Sequence, residues 1–133
     1  YIRANAESLP FKDNSFDCVI IAFGLRNITD KNAALKSIYK KLKYGAQLVI
    51  LEFSKVTIPF IDKIYLKYAF KFIPKLGKAV VKDEDSYRYL IESIRVHPDQ
   101  KQLASMIEEA GFKNIKFHNL SAGIVAVHRG YKM

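Results

Sequence analysis

The sequence is poor in cysteine and in long apolar runs. Its single thiol, Cys18, can form neither an internal disulfide nor a cysteine-based metal site, which favours a reducing, cytoplasmic setting. No apolar run reaches the roughly 20 residues needed to span a bilayer. The histidines His97, His118 and His128 lack paired metal-ligand spacing, so the sequence predicts no metal site.

The composition is that of a globular protein. Hydrophobic residues make up 50% of the 133-residue chain and charged residues 26%, which excludes an extended disordered chain. The length suits one domain with a core of its own. Neither an internal repeat nor a low-complexity segment divides it. We therefore expect residues 1–133 to belong to a single folded domain.

Positive charge is concentrated in one segment. The formal net charge is +9, and residues 55–82 contain seven lysines but only one acid, Asp62. Aromatic residues are interspersed with the lysines. Such a segment favours an anionic partner, and the expected form is peripheral contact of residues 58–82 with a membrane. A helix pair with one core face and one solvated lysine face is the alternative. No nucleic-acid motif is present, so nucleic acid is not an expected partner.

The first half of the chain has the pattern of a parallel α/β sheet. Residues 16–23 form a continuous apolar run, which predicts a strand buried on both faces with its cysteine in the core. Thr29 or Asp30 can cap a helix over about residues 31–43, which the glycine two positions later would end. Residues 47–53 predict a second buried strand. Strand, helix and strand in this order form the unit of a parallel sheet.

The second half predicts two more helices and a hairpin. One helix should run to about residue 94 after a cap at Asp85 or Ser86, and another should start near Pro98. Residues 113–120 and 124–128 predict strands. Because the link between these strands is too short for a crossover, they should pair in an antiparallel hairpin.

Five segments carry a resemblance to one enzyme family. They are Asn-Ala-Glu-Ser-Leu-Pro-Phe at 5–11, Phe-Gly-Leu-Arg-Asn-Ile-Thr-Asp at 23–30, Leu-Glu-Phe-Ser-Lys at 51–55, Asp-Ser-Tyr-Arg-Tyr-Leu at 85–90 running on to His-Pro-Asp-Gln at 97–100, and His-Arg-Gly-Tyr-Lys at 128–132. The first is a general methyltransferase signal, whereas the second and fourth are much more specific. Together they resemble the UbiE-type ubiquinone/menaquinone biosynthesis C-methyltransferases over essentially the whole chain.

The resemblance implies both a fold and an activity. The fold would be the α/β, Rossmann-like fold of class I S-adenosylmethionine-dependent methyltransferases, with residues 1–133 as its C-terminal part and an antiparallel hairpin at the end. The activity would be C-methylation of a polyprenyl benzoquinol or demethylmenaquinol ring, with S-adenosylmethionine as cofactor. The family's glycine-rich cofactor loop has no counterpart, since the first glycine is Gly24 and no Gly-x-Gly occurs. The N-terminal part is therefore expected to be absent and the chain inactive alone.

The resemblance also implies residues for the cofactor. Asn5 and Ala6 match the family loop that holds the adenine, and an asparagine side chain offers the purine edge both a donor and an acceptor. A turn asparagine is the alternative for Asn5. Ala22 stands where the family often has a small hydroxyl residue, so it would line the cofactor site with one polar contact fewer.

For the substrate, the resemblance implies a site after the first strand. Arg26 and Asn27 would lie beside the quinol ring as catalytic residues. Because arginine stays protonated, Arg26 would stabilise phenolate charge and would not take the proton itself. The alternative is that Arg26 pairs with a nearby carboxylate and Asn27 shapes the turn. Tyr87, Arg88 and Tyr89 would line the quinol pocket, with ordinary helix packing as the alternative.

Partners and location follow from the same interpretation. The protein would bind a polyprenyl quinol in the cytoplasm, with peripheral contact at the inner membrane. It would form a homodimer or pair with the missing N-terminal half, because its first strand would otherwise have an open edge. Two rival hypotheses remain. A non-catalytic membrane-surface or quinone-binding module would keep the basic aromatic segment, and a methyltransferase of another small molecule would keep the fold.

Overall fold

The computed structural model describes residues 1–57, Ile64, Lys67 and residues 84–133. In this part of the chain the strands are β1 (Phe16–Ala22), β2 (Leu42–Phe53), β3 (Lys113–Leu120) and β4 (Val125–Tyr131). The helices are α1 (Lys31–Lys41), α2 (Glu84–Val96) and α3 (Gln100–Glu109), and short 3-10 turns occupy Ala6–Ser8, Leu25–Asn27 and Ser121–Gly123. None of the described helices is both long and apolar enough to cross a membrane.

The strands form one mixed sheet in the order β1-β2-β4-β3. β1 runs parallel to β2, and α1 makes the connection between them. β4 is antiparallel to both of its neighbours, β2 and β3. The turn between β3 and β4 requires Gly123, since its φ is +91° and an added Cβ would lie 2.5 Å from the Lys55 carbonyl oxygen. The predicted α/β order and terminal hairpin are thus confirmed.

Local capping chemistry sets where two helices begin. The Asp30 side chain accepts a hydrogen bond from the Ala33 backbone N–H at 2.9 Å, which confirms the predicted cap of α1. At α3, Asp99 and Gln102 form a reciprocal capping box, so the helix starts two residues after Pro98. Gly45 does not end α1. The helix stops at Lys41 because the next residue already pairs with β1, and Gly45 lies within β2 at φ +82°.

The core lies on one face of the sheet beneath α1 and α3. Apolar side chains from β2 meet those of both helices, and Phe112, at the end of the loop after α3, completes the cluster. Its fully buried members include Leu35 and Ile38 of α1, Leu48 and Ile50 of β2, and Leu103 and Ile107 of α3. Burial of each such side chain stabilises the fold by about 1.5–3 kcal/mol. This layer therefore holds the sheet in place and with it the ends of the strands.

The prediction that the first strand is buried on both faces is wrong. Within the described residues β1 pairs with β2 alone, so it lies at an edge of the sheet. Asp17, Cys18, Ile20 and Ala22 are exposed, and the Ile20 side chain is 69% exposed. Cys18 is therefore not a core residue. The continuous apolar run thus forms a strand with one face packed on the core, and no element of the described residues packs on its other face.

The open edge of β1 predicts that the isolated 133-residue chain associates with itself. Unpaired N–H and C=O groups beside exposed apolar side chains seek partners, and a charge on such a strand opposes pairing. Ile20→Lys should therefore reduce association, while Val96→Lys, a matched change at an exposed position on α2, should not. Sedimentation velocity at micromolar concentration measures both. A monomeric wild-type chain with cooperative unfolding would contradict this interpretation of β1.

Candidate active site

Two charged residues meet at the edge of the sheet where β1 and β2 end. Because these strands are parallel, their carboxyl ends lie on the same side. Arg26 follows β1 in the turn Leu25–Asn27, and Glu52 is the last residue but one of β2. Ligands of open α/β sheets bind in the crevice outside the carboxyl ends of the strands. The pair therefore marks a candidate active site.

Glu52 holds Arg26 at two points. Its Oε1 accepts a hydrogen bond from Arg26 Nη1 at 3.1 Å, and its Oε2 accepts one from the Arg26 backbone N–H at 3.2 Å. The side chains are 12% exposed for Arg26 and 1% for Glu52. Nη1 also donates to the Phe23 carbonyl oxygen. The structure therefore contains the carboxylate pairing that the sequence offered as an alternative for Arg26. Both side-chain contacts use Nη1, so neither of them occupies Nη2.

Aromatic rings and a strained turn fix the direction of the arginine. The Phe23 and Phe53 ring centres are 5.0 Å apart, and the Arg26 guanidinium carbon lies 5.4 Å from the centre of the Phe53 ring. Phe23 has φ +53°, a left-handed conformation that costs a residue with a Cβ about 1–3 kcal/mol. This conformation turns the chain sharply after β1, and Arg26 follows the turn at the edge of the sheet.

A hydrogen bond joins two of the predicted site segments. The Tyr89 hydroxyl on α2 donates to Asn27 Oδ1 at 3.0 Å, and both residues are exposed. Asn27 thus does more than shape its turn, because it ties α2 to the turn that carries Arg26. Tyr87 is half-buried and Arg88 is exposed on the same helix, and this hydrogen bond includes neither of them.

The predicted adenine loop is anchored at the same edge of the sheet. Asn5 Oδ1 accepts from the Glu7 backbone N–H at 3.0 Å, as in a turn, which leaves its amide nitrogen outside this contact. Glu7 Oε1 accepts from the Asp30 backbone N–H at 3.0 Å, so the loop is held to the start of α1. Asn5 and Ala22 are exposed and Ala6 is half-buried. The role of Asn5, Ala6 and Ala22 towards the cofactor therefore stays a prediction.

Two buried histidines lie beneath the strand ends. His97 is 4% exposed, and neither ring nitrogen has a hydrogen-bond partner among the described residues. Burial lowers its pKa to about 4, and the positive charges of Lys31 and Arg26 add to the effect. His128 Nε2 donates to the Gln100 carbonyl oxygen at 2.8 Å. Burial lowers the pKa of His128 as well, against the opposing effect of that hydrogen bond.

No metal site accompanies this cluster. Among residues 1–57 and 84–133, no three His, Cys, Asp or Glu side chains gather closely enough to hold an ion. Ser54 Oγ is a further buried polar atom without a partner in this part of the chain. Sequence reasoning missed Glu52 and Ser54. Both follow Leu48 and Ile50 at every second position along β2 and the residue after it, and both are buried like them. A polar residue in such a pattern could have been recognised from the sequence.

Acid should destabilise the fold through His97. An unfolded histidine has a pKa of about 6.5, whereas the folded chain holds that of His97 at about 4. Between these values the unfolded state binds more protons. The free energy of unfolding therefore falls as the pH drops, by at most about 1.4 kcal/mol per pH unit for one group. Urea unfolding at about pH 5 and about pH 7 measures this dependence.

Two glutamine variants assign the pH dependence to its source. His97→Gln should flatten it, whereas the same change at exposed His118 should leave it as in the wild type. His128 remains in both variants and contributes in the same direction, because burial lowers its pKa too. An unchanged dependence in His97→Gln would contradict the burial argument.

Solved structures share the fold of this chain. A SAM-dependent methyltransferase from Thermotoga maritima matches with a TM-score of 0.68 at 22% identity, covering 99% of this chain and 63% of that one. Phosphoethanolamine N-methyltransferase 2 of Haemonchus contortus, in complex with S-adenosyl-L-methionine, matches with a TM-score of 0.63 at 14% identity, covering 96% of this chain and 35% of that one. The class I methyltransferase fold expected from the sequence is thus confirmed.

Sequence relatives identify the family. The ubiquinone/menaquinone biosynthesis C-methyltransferase UbiE of Klebsiella pneumoniae (strain 342) is 59% identical over 132 residues, covering 99% of this chain and 53% of the relative. The protein of the same name from Haemophilus ducreyi is also 59% identical, with 99% and 51% covered. The chain spans about half the length of the curated relatives it matches. A model of the ubiE/COQ5 methyltransferase family matches residues 1–132, and the chain belongs to this family.

Proposed function

We propose that the protein containing this chain transfers a methyl group from S-adenosylmethionine to a ring carbon of a polyprenyl benzoquinol or demethylmenaquinol. The step belongs to ubiquinone or menaquinone biosynthesis. Family membership and the names of the relatives support the reaction. The single observation that carries it is the arginine held at the ligand-binding edge of the sheet, where Glu52 fixes Arg26 beside the hydrogen-bonded Asn27 and Tyr89.

The chemistry of C-methylation explains the use of a fixed cation. A ring carbon becomes a better nucleophile when the neighbouring phenol loses its proton, and a positive group beside the oxygen stabilises the resulting phenolate. Arg26 serves this role because its guanidinium stays protonated and is largely shielded from water. The sulfonium of S-adenosylmethionine supplies the methyl group. Asn27 orients the turn that carries Arg26.

The remaining site residues divide between cofactor and substrate. Asn5 and Ala6 would hold the adenine, the first through its amide nitrogen, and Ala22 would line the cofactor beside the end of β1. Tyr87, Arg88 and Tyr89 are assigned to the quinol pocket, supported by the contact of Tyr89 with Asn27. The relatives are about twice as long as this chain, and we expect the glycine-rich part of the cofactor site to lie outside residues 1–133.

The test uses the complete enzyme, meaning a protein of the length of the relatives that includes this chain. With S-adenosylmethionine and demethylmenaquinol or a polyprenyl benzoquinol, it should form a product methylated on ring carbon, which mass spectrometry detects. Arg26→Ala should lower turnover by about 10²–10³-fold, the cost of losing one charge-stabilising donor. Cofactor affinity, measured by calorimetry, should change much less.

The control is Arg129→Ala, which removes an exposed arginine on β4. It should leave both turnover and cofactor affinity near wild type. If cofactor affinity of Arg26→Ala fell as much as turnover, Arg26 would be a structural or cofactor residue. Quinol binding without any methylated product would favour a non-catalytic quinone-binding module. Methylation of other small molecules but of neither quinol would indicate a methyltransferase with a different substrate.

Peripheral membrane contact through residues 58–82 is part of the proposal. Apart from Ile64 and Lys67, this segment lies outside the described residues, and Lys67 is exposed. Its support is the charge and aromatic content of the sequence. A location at the inner face of the membrane would bring the site to a polyprenyl substrate dissolved in lipid.

Vesicle binding tests this contact. Replacing Lys63, Lys67 and Lys71 with glutamine should weaken binding of the complete enzyme to anionic vesicles, since each lysine near such a surface contributes about 1 kcal/mol. The matched control makes the same change at three exposed lysines elsewhere, Lys12, Lys36 and Lys40. Equal loss in both triple variants would indicate a general charge effect. Unchanged binding of the first variant at low salt would favour the solvated lysine face.

A further inference from the structure

We infer that Glu52 is a positioning residue for catalysis, holding Arg26 in the orientation in which it meets the substrate oxygen. The inference rests on the proposed function and adds to it a residue that acts through another. Glu52 lies in the strand β2, whereas Arg26 lies in the turn after β1. Strand and turn are thereby tied together by a carboxylate at the ligand-binding edge.

Glu52 fixes both the side chain and the backbone of Arg26. Glu52 binds Arg26 both through the side-chain Nη1 and through the backbone N–H, at 3.1 and 3.2 Å. One contact fixes the end of the side chain and the other fixes the turn from which it starts. Because Glu52 contacts both the backbone N–H and Nη1 of Arg26, the side chain cannot rotate out of the site without breaking a contact. The Phe53 ring closes one more side, at 5.4 Å.

Both oxygens of the Glu52 carboxylate already accept hydrogen bonds. Its Oε1 accepts from Arg26 Nη1 and from the Phe53 backbone N–H at 2.9 Å, and its Oε2 accepts from the Arg26 backbone N–H. The carboxylate is 1% exposed and turned towards these donors. Both oxygens are thus engaged by donors of the chain itself, and the carboxylate is shielded from the crevice where a substrate would bind. Its role is therefore exerted through Arg26.

Glu52 and Arg26 form a largely buried ion pair. A buried ion pair contributes little to stability compared with apolar residues of similar volume, because both charges must be stripped of water. Leu48 and Ile50 occupy the preceding inward positions of β2, so an apolar residue would suit the same face at position 52. A carboxylate at this position is accounted for by the arginine that it orients at the ligand-binding edge.

Kinetics of the complete enzyme test the inference. Glu52→Gln keeps the shape of the side chain but loses its charge and one acceptor. Misplacement of a catalytic group by about 1 Å can cost on the order of 10²-fold, so kcat should fall by about that factor. Cofactor affinity should stay near wild type. The control is Glu108→Gln, an exposed carboxylate of α3 whose loss should leave kcat unchanged.

A double-mutant cycle separates positioning from general support of the fold. If Glu52 acts through Arg26, Glu52→Gln should cost much less in the Arg26→Ala background than in the wild type. Equal losses in both backgrounds would overturn the inference. If Glu52→Gln does not fold, Glu52→Asp is tested instead, because it keeps the negative charge but has a shorter side chain. It should lower kcat as well, and an unaltered kcat with Asp would also overturn the inference.

A readout independent of turnover separates this inference from the proposed function. In arginine-labelled enzyme, the guanidinium NMR signal of Arg26 should show restricted rotation in the wild type and faster rotation in Glu52→Gln. If the wild type makes no methylated quinol yet shows this difference, the proposed function fails while the positioning by Glu52 stands. If the two spectra show equal mobility, the positioning fails whatever the enzyme methylates.

Discussion

The parallel pairing of β1 with β2 is the constraint on which the site depends. Ile21 lies opposite Ile50, and the two strands end at the same edge of the sheet. Arg26 and Glu52, 26 positions apart in sequence, meet there as a result. A slip of one residue in register would turn Glu52 to the opposite face and leave Arg26 without its partner. The apolar layer between the sheet and α1 holds the register, because it buries alternate side chains of β2 such as Leu48 and Ile50.

Local features of the fold could be predicted because they depend on neighbouring residues. The cap at Asp30 needs only the next helical turn, and the hairpin follows from a four-residue link. Burial of β1 could not be predicted in this way. An apolar run fits a central strand and an edge strand equally well, and the difference lies in what covers the second face. Gly45 was assigned to a helix end for a similar reason, since a positive φ suits a strand bulge as well.

The site was only partly accessible from the sequence. Arg26, Asn27 and Tyr89 were chosen from motifs, and the structure brings Asn27 into contact with Tyr89. Glu52 was missed because its partner is fixed by strand register, which single motifs do not specify. His97 lies between α2 and α3 and is buried there, a tertiary property that its neighbours in sequence do not reveal.

Charged groups of both signs surround the ends of β1 and β2. Arg26 and Lys31 carry positive charge there, and Glu52, together with Glu7 and Asp30 at the start of α1, carries negative charge. Lys31 is held in place by the carbonyl oxygen of Ile28 at 3.0 Å. His97 adds no positive charge at neutral pH, because burial holds its pKa at about 4. Under the proposed function, Arg26 is the group that would meet a developing phenolate, since its contacts with Glu52 and Phe23 leave Nη2 outside them.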